Sequence, residues 1–206
     1  MTAGPEMWVE LVVASANPDK AAEIASILGE ELEGVVVFVS RPPGTPDVEE
    51  HETTFEGNAR LKAAAVSAAT GLGSVADDSG LEVDALGGAP GVRSARYAGE
   101  SASYSDNVAK LLDAMSGVLD RGARFRTVAI ARLADGRELV CEGTVEGSIA
   151  TAPRGSGGFG YDPVFVPAEG GGRTFGEMTG HDKHAISARG RALRSLAARL
   201  REELDR

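Results

Sequence analysis

The chain has little cysteine and no long apolar run, and each shortage excludes a class of protein. Its 206 residues include one cysteine, so no internal disulfide can form. No apolar run approaches the ~20 residues that a membrane-spanning helix needs. Residues 1–10 lack the basic and apolar regions of a signal peptide. We therefore expect a cytoplasmic protein with no membrane partner.

Basic residues are also in short supply. There are 21 Lys and Arg against 31 Asp and Glu, and no basic run follows the chain, so we expect no nucleic-acid partner. An acidic protein can still bind a small anion where a metal ion and a few cations dominate locally. The P-loop and nucleophile-elbow patterns are absent, and the three histidines lack zinc-ligand spacing.

Strand and helix signals alternate along the chain. Apolar runs predict strands at 8–14, 35–39, 81–86, 125–133, 138–149 and 163–166. Asn17 and Pro18 are typical of a helix start, and Thr53 with Glu56 forms a capping box for a helix that ends at Gly71. Further helices are predicted at 105–115 and 187–204. The 134–137 turn predicts a hairpin.

This alternation indicates a mixed α/β fold in one domain over residues 1–206. We predict an elongated, mostly parallel central sheet with flanking helices. Two lobes of this fold are expected to enclose a nucleotide-binding cleft.

The adjacent carboxylates Asp77 and Asp78, followed by Ser79 and Gly80, end a short apolar run. Two buried carboxylates repel each other unless a cation lies beside them, which makes the pair a candidate Mg²⁺ site. Asp-Asp-Ser-Gly also suits a polar turn, and taken alone the turn is the favoured interpretation.

Three other charged residues have both a bland and a functional interpretation. Lys20 opposes the helix dipole in the first turn of a predicted helix, where it would suit a bound phosphate or simply be solvated. Lys62 is a surface residue or a phosphate ligand on the same helical face as Asn58. Glu50, in an acidic loop at 47–52, is a solvated carboxylate or a metal ligand.

A glycine-rich loop at 155–162 carries Phe159 and Tyr161, whose rings would offer a stacking surface for a base. Asp162 could accept a hydrogen bond from the base, although Asp-Pro is also an ordinary turn. Lys183 and Arg189 flank the predicted helix cap Ser187 and supply cations. Together with the phosphate-binding turn and the acidic pair, these features describe a nucleotide pocket.

Six segments, in this order, resemble the motifs of the inosine/xanthosine triphosphate pyrophosphatases, and the resemblance extends from Val12 to Leu193. They are Ser15–Lys20, Thr54–Ala63, Ala76–Leu81, Leu86–Gly99, Gly158–Pro163 and Glu177–Arg189. The resemblance implies a Mg²⁺-dependent homodimer that cleaves ITP, dITP and XTP to the monophosphate and pyrophosphate.

The resemblance also implies residue roles. Asp78 would be the general base and a metal ligand, Glu50 the second ligand and Asp77 a supporting carboxylate. The triphosphate would be held by Ser15, Ala16, Asn17, Pro18, Asp19, Lys20, Lys62 and Ser79. The base and phosphate pocket would be lined by Phe159, Gly160, Tyr161, Asp162, Lys183, Ala188 and Arg189.

One position departs from this family, which usually has Ser-His-Arg where this chain has Ser187-Ala188-Arg189. Loss of the imidazole predicts slower turnover of ITP or a weaker preference over GTP, unless His184 compensates. Two alternatives remain. One is a Maf-type pyrophosphatase for modified pyrimidine nucleotides, and the other is a nucleotide-binding module without turnover.

Overall fold

The structure is a computed structural model that describes residues 9–45 and 48–205. The predicted strand start at Trp8 and the loop residue Asp47 lie outside these ranges. The strands are β1 (Val9–Val13), β2 (Val36–Ser40), β3 (Gly73–Val83), β4 (Gly122–Arg132), β5 (Glu138–Ile149) and β6 (Phe165–Pro167). The α-helices are α1 (Pro18–Glu31), α2 (Phe55–Thr70), α3 (Tyr104–Ala114), α4 (Gly180–Ile186) and α5 (Ala188–Leu204).

The described strands form one six-stranded sheet in the order β2-β1-β3-β4-β5-β6. The α/β class with flanking helices is confirmed, but the prediction of a mostly parallel sheet is corrected. Within the described ranges β1 pairs in parallel with β2 and β3, while the other three pairings are antiparallel. A connection that contains a helix permits a parallel pairing without requiring one. The segment with α3 instead returns β4 antiparallel along β3.

The acidic pair lies inside β3 and not in a turn. Pairing with β4 is continuous from Ser74 to Val83, so the predicted break before a separate strand at 81–86 is absent from this part of the described chain. Successive side chains of a strand point to opposite faces. Asp78 therefore contacts α2, whereas Asp77 contacts Arg189 of α5.

Helices cover both faces of the sheet. On one face α2 packs Phe55, Ala59 and Val66 against β1, β3 and β4. On the other, α1 and α5 share an apolar cluster that includes Leu28 and Leu196. A third cluster, around Phe165 and Phe175, joins α3 to β5 and β6. The central strand β3 is thus buried on both faces, whereas β5 alternates between buried and more exposed residues, as an antiparallel strand with one partly solvated face does. The two-lobe arrangement stays a prediction.

Helix starts agree with the sequence signals except at α2. Asn17 caps α1 with Pro18 as first residue, and Ser187 caps α5 by accepting from Gly190 N. The predicted capping box of Thr53 is wrong, because Thr54 is the cap and accepts from Gly57 N. Within the described ranges, no helix has the length and apolar character needed to span a bilayer.

The end of β1 is the point at which the fold leaves an opening. β1 pairs with β3 only as far as Val13 and Val75, and β3 then continues for eight residues. From the same end the chain turns into α1, which leads away to β2 on the other side of β1. Such a divergence at the carboxyl ends of parallel strands is where open α/β sheets bind ligands.

Candidate active site

A cleft with about 740 Å³ of empty space opens beside the carboxyl end of β1. Its floor includes Ser79 and Gly80 of β3 and Thr127 of β4. The predicted site residues that line it are Asn17, Lys20, Ser79, Phe159, Gly160, Tyr161, Asp162, Lys183, Ala188 and Arg189. The structure therefore brings together residues from distant parts of the chain.

The turn between β1 and α1 forms one wall of the cleft. The Asn17 side-chain oxygen accepts hydrogen bonds from the backbone N–H groups of Asp19 (2.9 Å) and Lys20 (3.2 Å). Ser15 Oγ accepts from Asn17 N at 3.2 Å, and Ala16 and Pro18 are exposed. This network holds the helix N-terminus and Lys20 toward the cleft, an arrangement that favours anions.

Lys20 has no close ion-pair partner within the described chain. Its Nζ lies 4.0 Å from Asp78 Oδ1. Burial lowers the pKa of Lys20, and Lys62 and Arg189 lower it further, although Asp77 and Asp78 act in the opposite direction. An anion placed beside this ammonium group would relieve the unfavourable burial of its charge.

Asp78, Lys62 and Glu50 form a second array behind Lys20. Lys62 Nζ lies 3.2 Å from Asp78 Oδ1 and 3.2 Å from Glu50 Oε1, while Asn58 Nδ2 donates to Asp78 Oδ2. Burial raises the pKa of Asp78 despite Lys62 and Lys20, and Glu50 and Asp77 raise it further. Burial alone would lower the pKa of Lys62, but Asp78, Asp77 and Glu50 raise it overall. Lys62 is therefore a buried bridge between two carboxylates.

The donor set of this array fits Mg²⁺. Mg²⁺ in nucleotide enzymes is held by one or two carboxylates, with waters and substrate phosphates completing its shell. Glu50 and Asp78 supply two such carboxylates around a single ammonium group. No cluster of three or more His, Cys, Asp or Glu suited to a metal occurs among the residues described. The arrangement thus suits an ion shared with phosphate better than a closed protein cage.

Asp77 belongs to a different network. Its Oδ2 accepts from Arg189 Nε at 3.1 Å and from Ser79 Oγ at 2.7 Å. Because the Ser79 hydroxyl has only one proton, the 2.8 Å contact with Thr127 requires Thr127 to donate. Burial would raise the pKa of Asp77, but Arg189, Lys20 and Lys62 outweigh it and hold that pKa well below its usual range. Its other oxygen, Oδ1, is buried without a hydrogen-bond partner among the described residues.

The opposite wall of the cleft carries the glycine-rich loop. Asp162 Oδ2 accepts from Phe159 N at 2.8 Å and from Lys183 Nζ at 2.6 Å. The Phe159 ring centroid lies 4.7 Å from Lys183 Nζ and 5.5 Å from Arg189 Cζ. Asp162 thus fixes the position of the loop and of Lys183 through one carboxylate oxygen. Burial raises the pKa of Asp162, although Lys183 opposes this.

Phe159 and Tyr161 differ in their surroundings. Tyr161 is buried in the apolar cluster around Phe165, and its hydroxyl donates to Ser94 O at 2.9 Å. The ring of Tyr161 therefore packs as core where the sequence suggested an open stacking surface. Phe159 remains half-buried on the cleft wall, and Gly160 between them adopts φ +62°. The buried Ala188 side chain also lines the cleft.

Sequence reasoning missed Glu23 and Tyr104. Glu23 on α1 accepts from Lys183 Nζ at 2.7 Å and from Arg189, and it lies 3.6 Å from His184 Nε2. Burial would raise the pKa of Glu23, but these three partners hold it well below its usual range. Glu23 follows Lys20 by three residues, so helical spacing could have placed it on the same face. No pattern marked Tyr104.

Comparison with known proteins identifies close relatives. The sequence profile of the Ham1 family matches residues 11–199. The dITP/XTP pyrophosphatase of Streptomyces coelicolor is 46% identical over 197 residues, which cover 94% of this chain and 98% of that protein. The enzyme of the same name from Chlorobaculum tepidum is 46% identical, and the match covers 96% of this chain and 95% of that protein.

Solved structures agree with these sequence matches. A HAM1 protein from Coxiella burnetii superposes with a TM-score of 0.83 at 41% identity, covering 94% of this chain and 99% of that one. A nucleoside-triphosphatase / dITP/XTP pyrophosphatase from Mycobacterium abscessus superposes with a TM-score of 0.72 at 45% identity. The match covers 91% of this chain and 97% of that one.

Proposed function

Because this chain belongs to the Ham1 family, we propose that it hydrolyses dITP, ITP and XTP at the α–β phosphoanhydride, giving the monophosphate and pyrophosphate. The observation that carries the proposal is the Asp78–Lys62–Glu50 array, which Lys20 connects to the cleft. This reaction would remove deaminated purine nucleotides from the nucleotide pool.

The triphosphate would lie between the N-terminus of α1 and the lysines. Lys20 lacks a hydrogen-bonded partner within the described chain, and the N–H groups that open α1 favour negative charge. Lys62 would neutralise charge that develops on the phosphates. Phosphoryl transfer depends mainly on such positioning and charge neutralisation.

Asp78 is the proposed general base. Its raised pKa makes it a better proton acceptor than an ordinary aspartate. The carboxylate takes one proton from water, and the water oxygen bonds to the α-phosphorus. The bond from that phosphorus to the bridging oxygen breaks, and pyrophosphate leaves with the bridging oxygen. Asn58 and Lys62 hold the carboxylate in place during this transfer.

We propose Asp78 and Glu50 as the residues that hold Mg²⁺. The ion, when bound, would supply charge neutralisation at the phosphates. Asp77 would support the site through Arg189 and Ser79 instead of binding the metal directly.

Base choice would arise on the wall formed by Phe159, Lys183 and Arg189. Inosine and xanthosine carry a 6-oxo acceptor where adenine carries a donor. A site whose donors face that acceptor leaves them unpaired with ATP, at a cost of about 1–3 kcal/mol. The phenylalanine ring would supply stacking that is common to all purines.

We also propose a cytoplasmic homodimer, which the family resemblance supports. The formal charge of −10 supports a small-molecule substrate over nucleic acid. Sedimentation velocity across a range of protein concentrations would test the dimer, since a single monomeric species at all concentrations would contradict it.

The test of function is pyrophosphate release from ITP, dITP, XTP, GTP, ATP and modified pyrimidine triphosphates, with Mg²⁺ or with a chelator. We expect release from the first three, at least about fivefold less from ATP, and none with the chelator. A preference for modified pyrimidines would favour the Maf-type alternative. Tight binding without any release would indicate a nucleotide-binding module.

A further inference from the structure

Tyr104 contacts both walls of the cleft. It is the first residue of α3, and its backbone is held by a capping box in which Ser103 N donates to Asp106 Oδ2 at 2.9 Å. The residue is 40% exposed and lines the cleft. No other residue of α3 except Asn107 lines it within the described chain.

The hydroxyl of Tyr104 contacts the phosphate-side turn. It accepts from Asn17 Nδ2 at 2.9 Å and donates to Asp19 Oδ2 at 3.0 Å. The directions are fixed, because the other end of the Asn17 amide faces the backbone N–H groups of Asp19 and Lys20 and must be the oxygen. The amide that caps α1 is therefore held from both ends.

The ring of Tyr104 contacts the base-side loop. Its centroid lies 5.8 Å from that of Phe159, with an interplanar angle of 38°. This distance lies within the range of favourable aromatic pairs. Phe159 in turn lies against Lys183 and Arg189. One side chain thus connects the residues proposed to meet the phosphates with those proposed to meet the base.

We propose that Tyr104 is a positioning residue that joins the two halves of the substrate site, its hydroxyl ordering the phosphate-binding turn and its ring extending the aromatic wall at Phe159. This inference rests on the proposed function for the identity of the nucleotide. It does not depend on turnover, because its contacts concern binding. In the described chain the side-chain hydrogen bonds and the ring pair of Tyr104 go to Asn17, Asp19 and Phe159, and not to Asp78 or Lys62, so its effect is on affinity and not on the chemical step.

The two contacts can be separated by two variants. Tyr104→Phe keeps the ring and removes the hydroxyl, whereas Tyr104→Leu removes both. Tyr97→Phe is the matched control, because it also deletes a tyrosine hydroxyl, lies outside the cleft lining, and has no hydrogen bond from that hydroxyl in the described chain. Calorimetry would measure binding of inorganic tripolyphosphate for the phosphate side and of inosine monophosphate for both sides.

We expect Tyr104→Phe to weaken tripolyphosphate binding about threefold, as befits one partly exposed hydrogen-bonded group. Inosine monophosphate carries one phosphate instead of three, so it depends less on the turn that the hydroxyl orders, and Tyr104→Phe should weaken its binding less than about twofold. Tyr104→Leu should weaken tripolyphosphate binding to the same extent, and it should also weaken the binding of inosine monophosphate about tenfold. With ITP, both variants should raise KM and leave kcat within twofold, while Tyr97→Phe matches the wild type.

Equal losses for both probes in Tyr104→Phe, or a fall in kcat without a rise in KM, would overturn the proposal. So would wild-type affinities in both variants. If the wild type binds the probes but releases no pyrophosphate from ITP, the proposed function fails while the role of Tyr104 is still decided by calorimetry. If Tyr104→Leu does not fold, the probe comparison with Tyr104→Phe alone decides it.

Discussion

Asp77 and Asp78 are adjacent and chemically identical, yet the two faces of β3 treat them in opposite ways. On the α5 face, Arg189 and Ser79 contact Asp77 and its pKa is lowered. On the α2 face, burial dominates for Asp78, which shares Lys62 with Glu50, and its pKa is raised. One carboxylate stabilises the fold in its charged form, and the other is held charged at a cost. Because successive side chains of a strand point to opposite faces, one dipeptide can hold a structural carboxylate and a reactive carboxylate side by side.

The largest expected effect is on the α2 face. Asp78→Asn removes the proposed base and should lower kcat for pyrophosphate release from ITP by about 10³-fold or more. The folded state disfavours the charged form of Asp78, and Lys62 keeps Glu50 as a partner, so the free energy of unfolding should fall less than it does in Asp77→Asn. Pyrophosphate release and urea unfolding measure both quantities. Turnover within tenfold of the wild type would refute Asp78 as the base.

The same substitution one residue earlier should act on stability. Asp77→Asn leaves Arg189 without its charged partner on β3, and removing one partner of a buried ion pair costs about 3 kcal/mol. Urea unfolding would measure the loss, with Asp78→Asn as the matched control. Equal changes in unfolding free energy for the two variants would break the contrast between the faces.

Ala188 offers a smaller test of the α5 face. Ala188→His places an imidazole on the cleft wall beside Arg189, where one added hydrogen bond to the base should raise kcat/KM for ITP about fivefold. Ala185→His is the control, since Ala185 is exposed on α4 outside the cleft lining. Unchanged kinetics in Ala188→His would remove Ala188 from the residues that set base preference.

Acid should also distinguish the two faces, through the pH dependence of stability. The lowered pKa values of Asp77 and Glu23 mean that their stabilisation is complete above the unfolded pKa of about 4 and is lost as the pH falls toward their folded values. Asp78 has the opposite sign, so its protonation on acidification stabilises the fold. Between pH 5 and pH 3 we expect the wild type to lose about 1–2 kcal/mol more than Asp77→Asn. Parallel pH profiles of unfolding would contradict this assignment.

Local signals predicted local structure well. Asn17 with Pro18 gave the start of α1, Gly71 gave the end of α2, and the 134–137 turn lies between β4 and β5 as a hairpin connection. The course of β3 was not predictable in the same way, because Asp-Asp-Ser-Gly is a good turn sequence. Long-range pairing with β4 and buried cations from α1, α2 and α5 override that preference.

The site shows the same limit. Phe159 and Asp162 were predictable because they lie in a glycine-rich loop, where an aromatic or acidic side chain seldom belongs to the core. Glu23 and Tyr104 form side-chain hydrogen bonds with partners that are more than 80 residues away along the chain, and no local pattern encodes such a contact. The burial of Tyr161 was not predicted for a related reason, since its hydroxyl partner, Ser94 O, comes from a distant segment.

The opposite orientation of Asp77 and Asp78 makes β3 more sensitive to its length than to its composition. A one-residue deletion between Gly73 and Ala76 would shift the register and exchange the faces on which the two carboxylates lie. Neither aspartate would then meet its cations, although no residue of the site had been replaced. A deletion scan should therefore find this short segment less tolerant than substitution there would suggest, with loss of pyrophosphate release as the readout.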